Sequence, residues 1–188
     1  MSANYLSSQN DILLKKLMTF YDNEDHLTTM LNIINGTSRV SLRIVDWFST
    51  NYSKKQFTMY ETDKNPRFKV YEDYKLKLKA YSKKRFDPFC RWERIQIPIS
   101  KGSEYCFETT IGQLNFFKWA IENKIIKFIE EHYEEIEHDM NENNSLSKTK
   151  KNKTFDSSSK TRKKREELSV SAIKTFKKEK VEITVTFD

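Results

Sequence analysis

The chain has 188 residues, a net charge of +7, 37% hydrophobic and 13% aromatic residues, and only three glycines and three prolines. That length suits one well-cored domain with a small appendage, its core drawn largely from Phe and Tyr rings. So little glycine and proline argues against a turn-rich β-sandwich, a phosphate-cradling loop or a dinucleotide site, and no apolar run nears the roughly 20 residues that span a bilayer.

In chain order, residues 10–21 carry Ile12, Leu13, Leu17, Phe20 and Tyr21 at helical spacing, with Asn10 as the N-cap. His26 to Ile34 reads as a second helix stopped by Asn35-Gly36. In SLRIVDWFSTNYSKK (41–55), Leu42, Val45, Trp47, Phe48 and Tyr52 lie around much of a helix, which predicts burial on more than one side. Phe57 to Tyr60 and Arg67 to Tyr71 read as short strands. The helix after them holds Tyr74, Leu78 and Tyr81 on one stripe and Lys75, Lys79 and Lys83 on another. Asp73 stands four residues before Lys77, the favourable order for a helical ion pair. Asp87-Pro88 ends this helix, since proline disfavours helix in the residue before it.

Residues 75–94 hold eight basic residues against Asp87 and Glu93, a balance of +6, interleaved with Tyr81, Phe86, Phe89 and Trp92. That pattern predicts a charged face built onto a fold and an acidic or polyanionic partner. Ile95, Ile97 and Ile99 then alternate, and with residues 104–108 across Lys101-Gly102-Ser103 they predict a hairpin. Thr110 and Gln113 fit a capping box opening one long helix to about Asp139. Its apolar positions run from Leu114 and Phe117 through Ile121, Ile125, Ile129, Tyr133 and Ile136 to Met140, over a length of about 40 Å. Its second half is acidic.

Residues 141–165 are Asn-, Ser- and Lys-rich, with a balance of +8 over 145–165, and predict a disordered basic linker. Val181, Ile183, Val185 and Phe187 alternate with polar residues, so 166–188 predicts a strand or hairpin that docks on the core or pairs with itself. The expected architecture is a single α+β core domain over 1–140, with several helices and a small, mostly antiparallel sheet.

Three patches carry a family resemblance: SLRIVDWFSTNYSKK (41–55), FKVYEDYKLKLKAYSKKRFDPFCRWERI (68–95) and TTIGQLNFFKWAIENKIIKFI (109–129), with RKKREELSVSAIKT (162–175) as a fourth. Together they resemble an uncharacterised protein family encoded by nucleocytoplasmic large DNA viruses. The resemblance implies a viral gene product in the cytoplasm or nucleus of an infected cell, or in the virion. It carries over no active site.

No catalytic signature stands out. There is no Gly-x-Ser-x-Gly elbow, and neither Cys90 nor Cys106 has a histidine beside it. The two cysteines are too few for a tetrathiolate zinc site and read as reduced thiols. His132 and His138 are six residues apart, on different faces of a helix, so no metal site is predicted. The first thirty residues lack a signal-peptide pattern. A non-enzymatic protein is expected, with no cofactor, no small-molecule substrate and no membrane partner.

The candidate nucleic-acid-binding residues are Lys75, Lys79, Lys83, Lys84, Arg85 and Arg91, with Lys163, Lys164 and Arg165 in a second cluster. Phe86, Phe89 or Trp92 would stack on bases or anchor a partner. The plainer reading makes the rings core and the basic residues a solvated face. The expected function is a nucleic-acid-associated accessory protein of a large DNA virus, in genome packaging, transcription or replication support. The alternative is a structural or adaptor protein of the virion that binds viral proteins.

Overall fold

Side-chain caps set where three of the helices begin. A computed structural model describes residues 9–99 and 106–152. Helix α1 (Gln9–Tyr21) starts one residue ahead of Asn10, which lies inside the helix and does not cap it. In α2 (Glu24–Ile34), Asn23 Oδ1 accepts from Asp25 N at 2.9 Å, and Glu24 and Asp25 sit where the helix dipole favours negative charge. Asn35 closes α2 and Gly36 follows at φ 74°, a left-handed stop that glycine adopts freely. Ser41 caps α3 (Leu42–Trp47), which runs into a π-helical turn (Phe48–Tyr52) and a last short turn, α4 (Ser53–Lys55). Ile44, Val45, Phe48 and Tyr52 are all buried, as expected of a helix with apolar residues on several sides.

The strands form two separate two-stranded sheets where one was expected. Strands β1 (Met59–Tyr60) and β2 (Phe68–Lys69) pair antiparallel, with Tyr60 opposite Phe68 and their rings 5.5 Å apart. Strands β3 (Arg94–Pro98) and β4 (Cys106–Thr110) form the expected hairpin, with buried Ile97 opposite buried Phe107. The turn predicted at Lys101-Gly102-Ser103 lies outside the described residues. Cys90 and Cys106 are free thiols, and burial pushes the Cys90 thiol above its usual value.

Between the sheets runs α5 (Val70–Arg85), kinked at Ser82, whose φ of 61° and ψ of 169° belong to a region normally held by glycine. The predicted long helix is three helices: α6 (Ile111–Glu122), α7 (Ile125–Glu131) and α8 (Tyr133–Asn152). Lys124 breaks the first joint with φ 57°, and His132 caps the end of α7. Tyr60 OH donates to Asn123 O at 2.9 Å, and Lys124 Nζ reaches Asp63 at 2.5 Å, so both residues of the first joint are held from the β1–β2 side. Helix α8 continues to Asn152, past the domain end expected at 140. The rest of the expected linker and the C-terminal strand lie outside the described residues.

Helix α6 is the centre of the α+β domain. Leu114, Phe116, Phe117, Trp119 and Ala120 are buried, and α1, α2, α5 and α7 pack around them. Phe86 inserts beside this helix, its ring 5.2 Å from Phe116 and 5.4 Å from Trp119. Trp47 and Ile121, expected in the core, are only half-buried. Trp47 instead lays its indole at the surface of α8 and donates from Nε1 to Asp139 Oδ2 at 2.9 Å.

Candidate nucleic-acid interface

One face of α5 packs on the domain through Val70, Tyr74, Leu78 and Tyr81, which leaves Lys75 and Lys79 exposed on another stripe, while Lys83, also exposed, follows the kink at Ser82. Lys84 is exposed as well, and its Nζ lies 5.9 Å from the centroid of the Trp92 ring. Lys77 is half-buried, and Asp73 accepts from Trp119 Nε1 at 2.6 Å, so this carboxylate anchors α5 to α6.

The two arginines of the predicted set have structural partners. Arg85 Nε donates to Asn10 Oδ1 at 2.7 Å and an Nη donates to Gln9 Oε1 at 3.0 Å, tying the end of α5 to α1. Arg91 holds Asp87 with two bonds, of 2.8 and 2.6 Å, and its guanidinium lies 4.9 Å from the Phe89 ring centroid. The Asp87 side chain is only 2% exposed, and its hydrogen bond holds the Arg91 pKa above the usual value. Of the predicted aromatics, Phe86 is core and Phe89 half-buried, and Trp92 is 40% exposed. Lys163, Lys164 and Arg165 lie outside the described residues.

A buried polar latch fixes the loop that carries these groups. Asn115 Nδ2 donates to Arg85 O at 2.8 Å, Gln113 Nε2 to Pro88 O at 2.8 Å, and Asp87 N to Gly112 O at 3.2 Å. Thr110 Oγ1 accepts from Gln113 N at 3.0 Å, which is half of the expected capping box. The Gln113 side chain turns away from the cap to take the Thr109 hydroxyl and Pro88. Gly112 is required here, since a Cβ would stand 2.8 Å from Lys84 O. Sequence reading missed this latch, although polar Gln113 and Asn115 amid an apolar helix are its visible trace.

The latched loop, α1 and the start of β3 enclose a groove of about 690 Å³, lined by Leu14, Ser82, Lys84, Trp92, Glu93 and Ile95 among others. The opposite charge gathers elsewhere. Helix α8 exposes Glu134 and Glu135 and packs on α3 and the π-helical turn, where Lys55 pairs with buried Asp139 and Arg39 with Glu134. Helix α5 also packs on the π-helical turn and α4, with Lys54 Nζ 5.6 Å from the ring centroid of Tyr71 in its first turn. Among the described residues, no group of three or more His, Cys, Asp or Glu could hold a metal ion. His132 stacks on Phe128, and His138 faces Glu142 at 3.8 Å. None of the described helices is long and apolar enough to cross a membrane.

Over residues 1–186 the sequence matches a family described as a family of unknown function, DUF7197. The chain belongs to that family. A relative called uncharacterized protein L507, from Acanthamoeba polyphaga mimivirus, is 45% identical over 165 residues. The match covers 79% of this DUF7197 chain and 63% of the relative, so the chain spans less than two thirds of that protein's length. The resemblance to an uncharacterised family of large DNA viruses is therefore shown. No solved structure matches the chain.

Proposed function

We propose that this DUF7197 protein is a non-enzymatic, nucleic-acid-associated accessory protein of a large DNA virus, in genome packaging, transcription or replication support. The observation that carries this reading is the exposed lysines Lys75 and Lys79 on a helix packed against the core, with exposed Lys83 and Lys84 after its kink. Among the described residues none of these four lysines forms a salt bridge, so their charge is available to phosphates. Binding of this kind depends on counterion release and falls with added salt, by about 0.7 to 0.9 log units per tenfold salt for each phosphate contact.

The test is fluorescence anisotropy of the full chain against nucleic acid over a range of salt. Changing Lys75, Lys79 and Lys83 to Glu should weaken binding and lower the salt slope by roughly two to three. An unchanged slope and affinity would place any binding elsewhere in the chain and overturn the reading.

A second reading, a structural or adaptor protein of the virion, is favoured by Phe57. This ring is 88% exposed at a left-handed φ of 49°, and with Met59 and Tyr71 it lines an apolar groove. Exposed rings of this kind anchor protein partners. A stoichiometric partner that survives nuclease treatment and is lost in Phe57→Asp would favour the adaptor.

A further inference from the structure

The groove beside Trp92 has a composition that a duplex does not suit. Lys84 and Arg85 are the cations of its lining, with exposed Lys83 next to Lys84 in the chain, but Asp11 and Glu93 also line it, so a phosphate seated inside would face carboxylates. A duplex presents only phosphates to the rim and keeps its bases stacked within. A single strand can hold its phosphates on the rim and turn a base inward.

The floor supplies what a base requires. The Trp92 ring is partly exposed beside Leu14 and Ile95, which gives an aromatic platform in an apolar surround. At about 690 Å³ the groove falls within the roughly 300–1,000 Å³ of small-ligand pockets. Lys84 lies over the Trp92 ring. An incoming base takes that aromatic face while the ammonium moves outward to a phosphate. Ser82, in its glycine-like conformation, turns the chain at the rim so that Lys83 and Lys84 follow the kink. The latch to α6 holds the loop in place without the ligand, which removes an ordering cost from binding.

Resting on the nucleic-acid reading above, we propose that this groove is a base pocket for single-stranded nucleic acid: Trp92 stacks on one base, Glu93 accepts from its exocyclic amino group, and Lys83 and Lys84 hold the flanking phosphates. Cytosine, adenine and guanine carry such an amino group, and thymine presents carbonyls in its place. The pocket therefore disfavours thymine.

The experiment uses the full chain and labelled oligodeoxycytidine and oligodeoxythymidine of about 12 nucleotides, a length within the known range of single-strand site sizes, with a duplex of equal length. Trp92→Ala should lower affinity for the cytidine strand by roughly tenfold, the scale of one lost base stack, and leave duplex binding nearly unchanged. Glu93→Gln should narrow the preference for cytidine over thymidine. Trp92→Phe keeps a stacking ring and tests the pocket even where Trp92→Ala fails to fold: it should retain most of the affinity and abolish strand-induced quenching of tryptophan emission. Wild-type protein that binds every probe, with single-strand affinity indifferent to Trp92, overturns the pocket and leaves the nucleic-acid reading standing. Wild-type protein that binds no probe overturns that reading itself.

Discussion

Arg91 and Asp87 make a pair whose two members are unequal. The Asp87 side chain is buried at 2% exposure and that of Arg91 is 40% exposed, so only the carboxylate depends on its partner for solvation. Removing the arginine strands a buried charge whose remaining described hydrogen bond is the 3.2 Å contact from Phe89 N. Removing the carboxylate leaves a guanidinium that water can reach. Arg91→Met should therefore cost more stability than Asp87→Asn, with the arginine change near 3 kcal/mol, the lower end for breaking a buried pair. Chemical denaturation of the two variants checks the order, and equal losses would mean that Asp87 is better hydrated than its burial indicates. This pair also explains why Arg91 is a poor candidate for phosphate contact. Its aspartate stands four residues away in the sequence, but only the fold of the loop turns the two side chains together.

Among the elements, α5 combines the most regular pattern with the least regular backbone. Its lysine stripe was legible as far as Lys75 and Lys79, because helical period alone places the two on one face. The kink was not, because serine at position 82 gives no sign of a positive φ. Such a residue costs about 1–3 kcal/mol, and glycine there is free of the Cβ clash. Ser82→Gly should raise stability by about 1 kcal/mol, seen as a melting temperature about 2–4 °C higher, and Ser82→Val should lower it. A lower melting temperature for Ser82→Gly would show that the serine side chain itself holds the bend. The hairpin was readable from the alternation of Ile95 and Ile97 and appears with Ile97 facing Phe107. The break after α6 was hidden, since Asn123 and Lys124 lie within an unbroken apolar period. Contacts to Tyr60 and Asp63, some sixty residues back, fix that joint. In the same way, Trp47 reads as core by pattern, but its indole N–H needs an acceptor and finds one at Asp139 of α8.

The whole molecule carries its aromatic core close to titratable hydroxyls. Tyr74 packs against Phe86 and Trp119, and burial, with the charges of Asp46 and Asp87, pushes its hydroxyl up to about 12. Burial raises Tyr21 and Tyr60 as well. A folded value above the unfolded one, near 10, means that the protonated form favours folding. That contribution is intact below about pH 10 and is lost as pH rises toward 12. Urea midpoints should hold steady to about pH 10 and then decline. A flat profile across that window would mean the hydroxyls titrate as freely in the fold as outside it. Among the exposed charges of the described residues are lysines along the kinked helix and carboxylates on α8. A body charged in this way feels a torque as well as a pull near any polyanion. Near a polyanion, lysines are drawn inward and carboxylates pushed outward before a single contact forms. Salt shortens the reach of that field to about 8 Å at physiological ionic strength. Its effect on this orienting step falls on how often a collision is productive, while short-range contacts decide how long the bound protein stays.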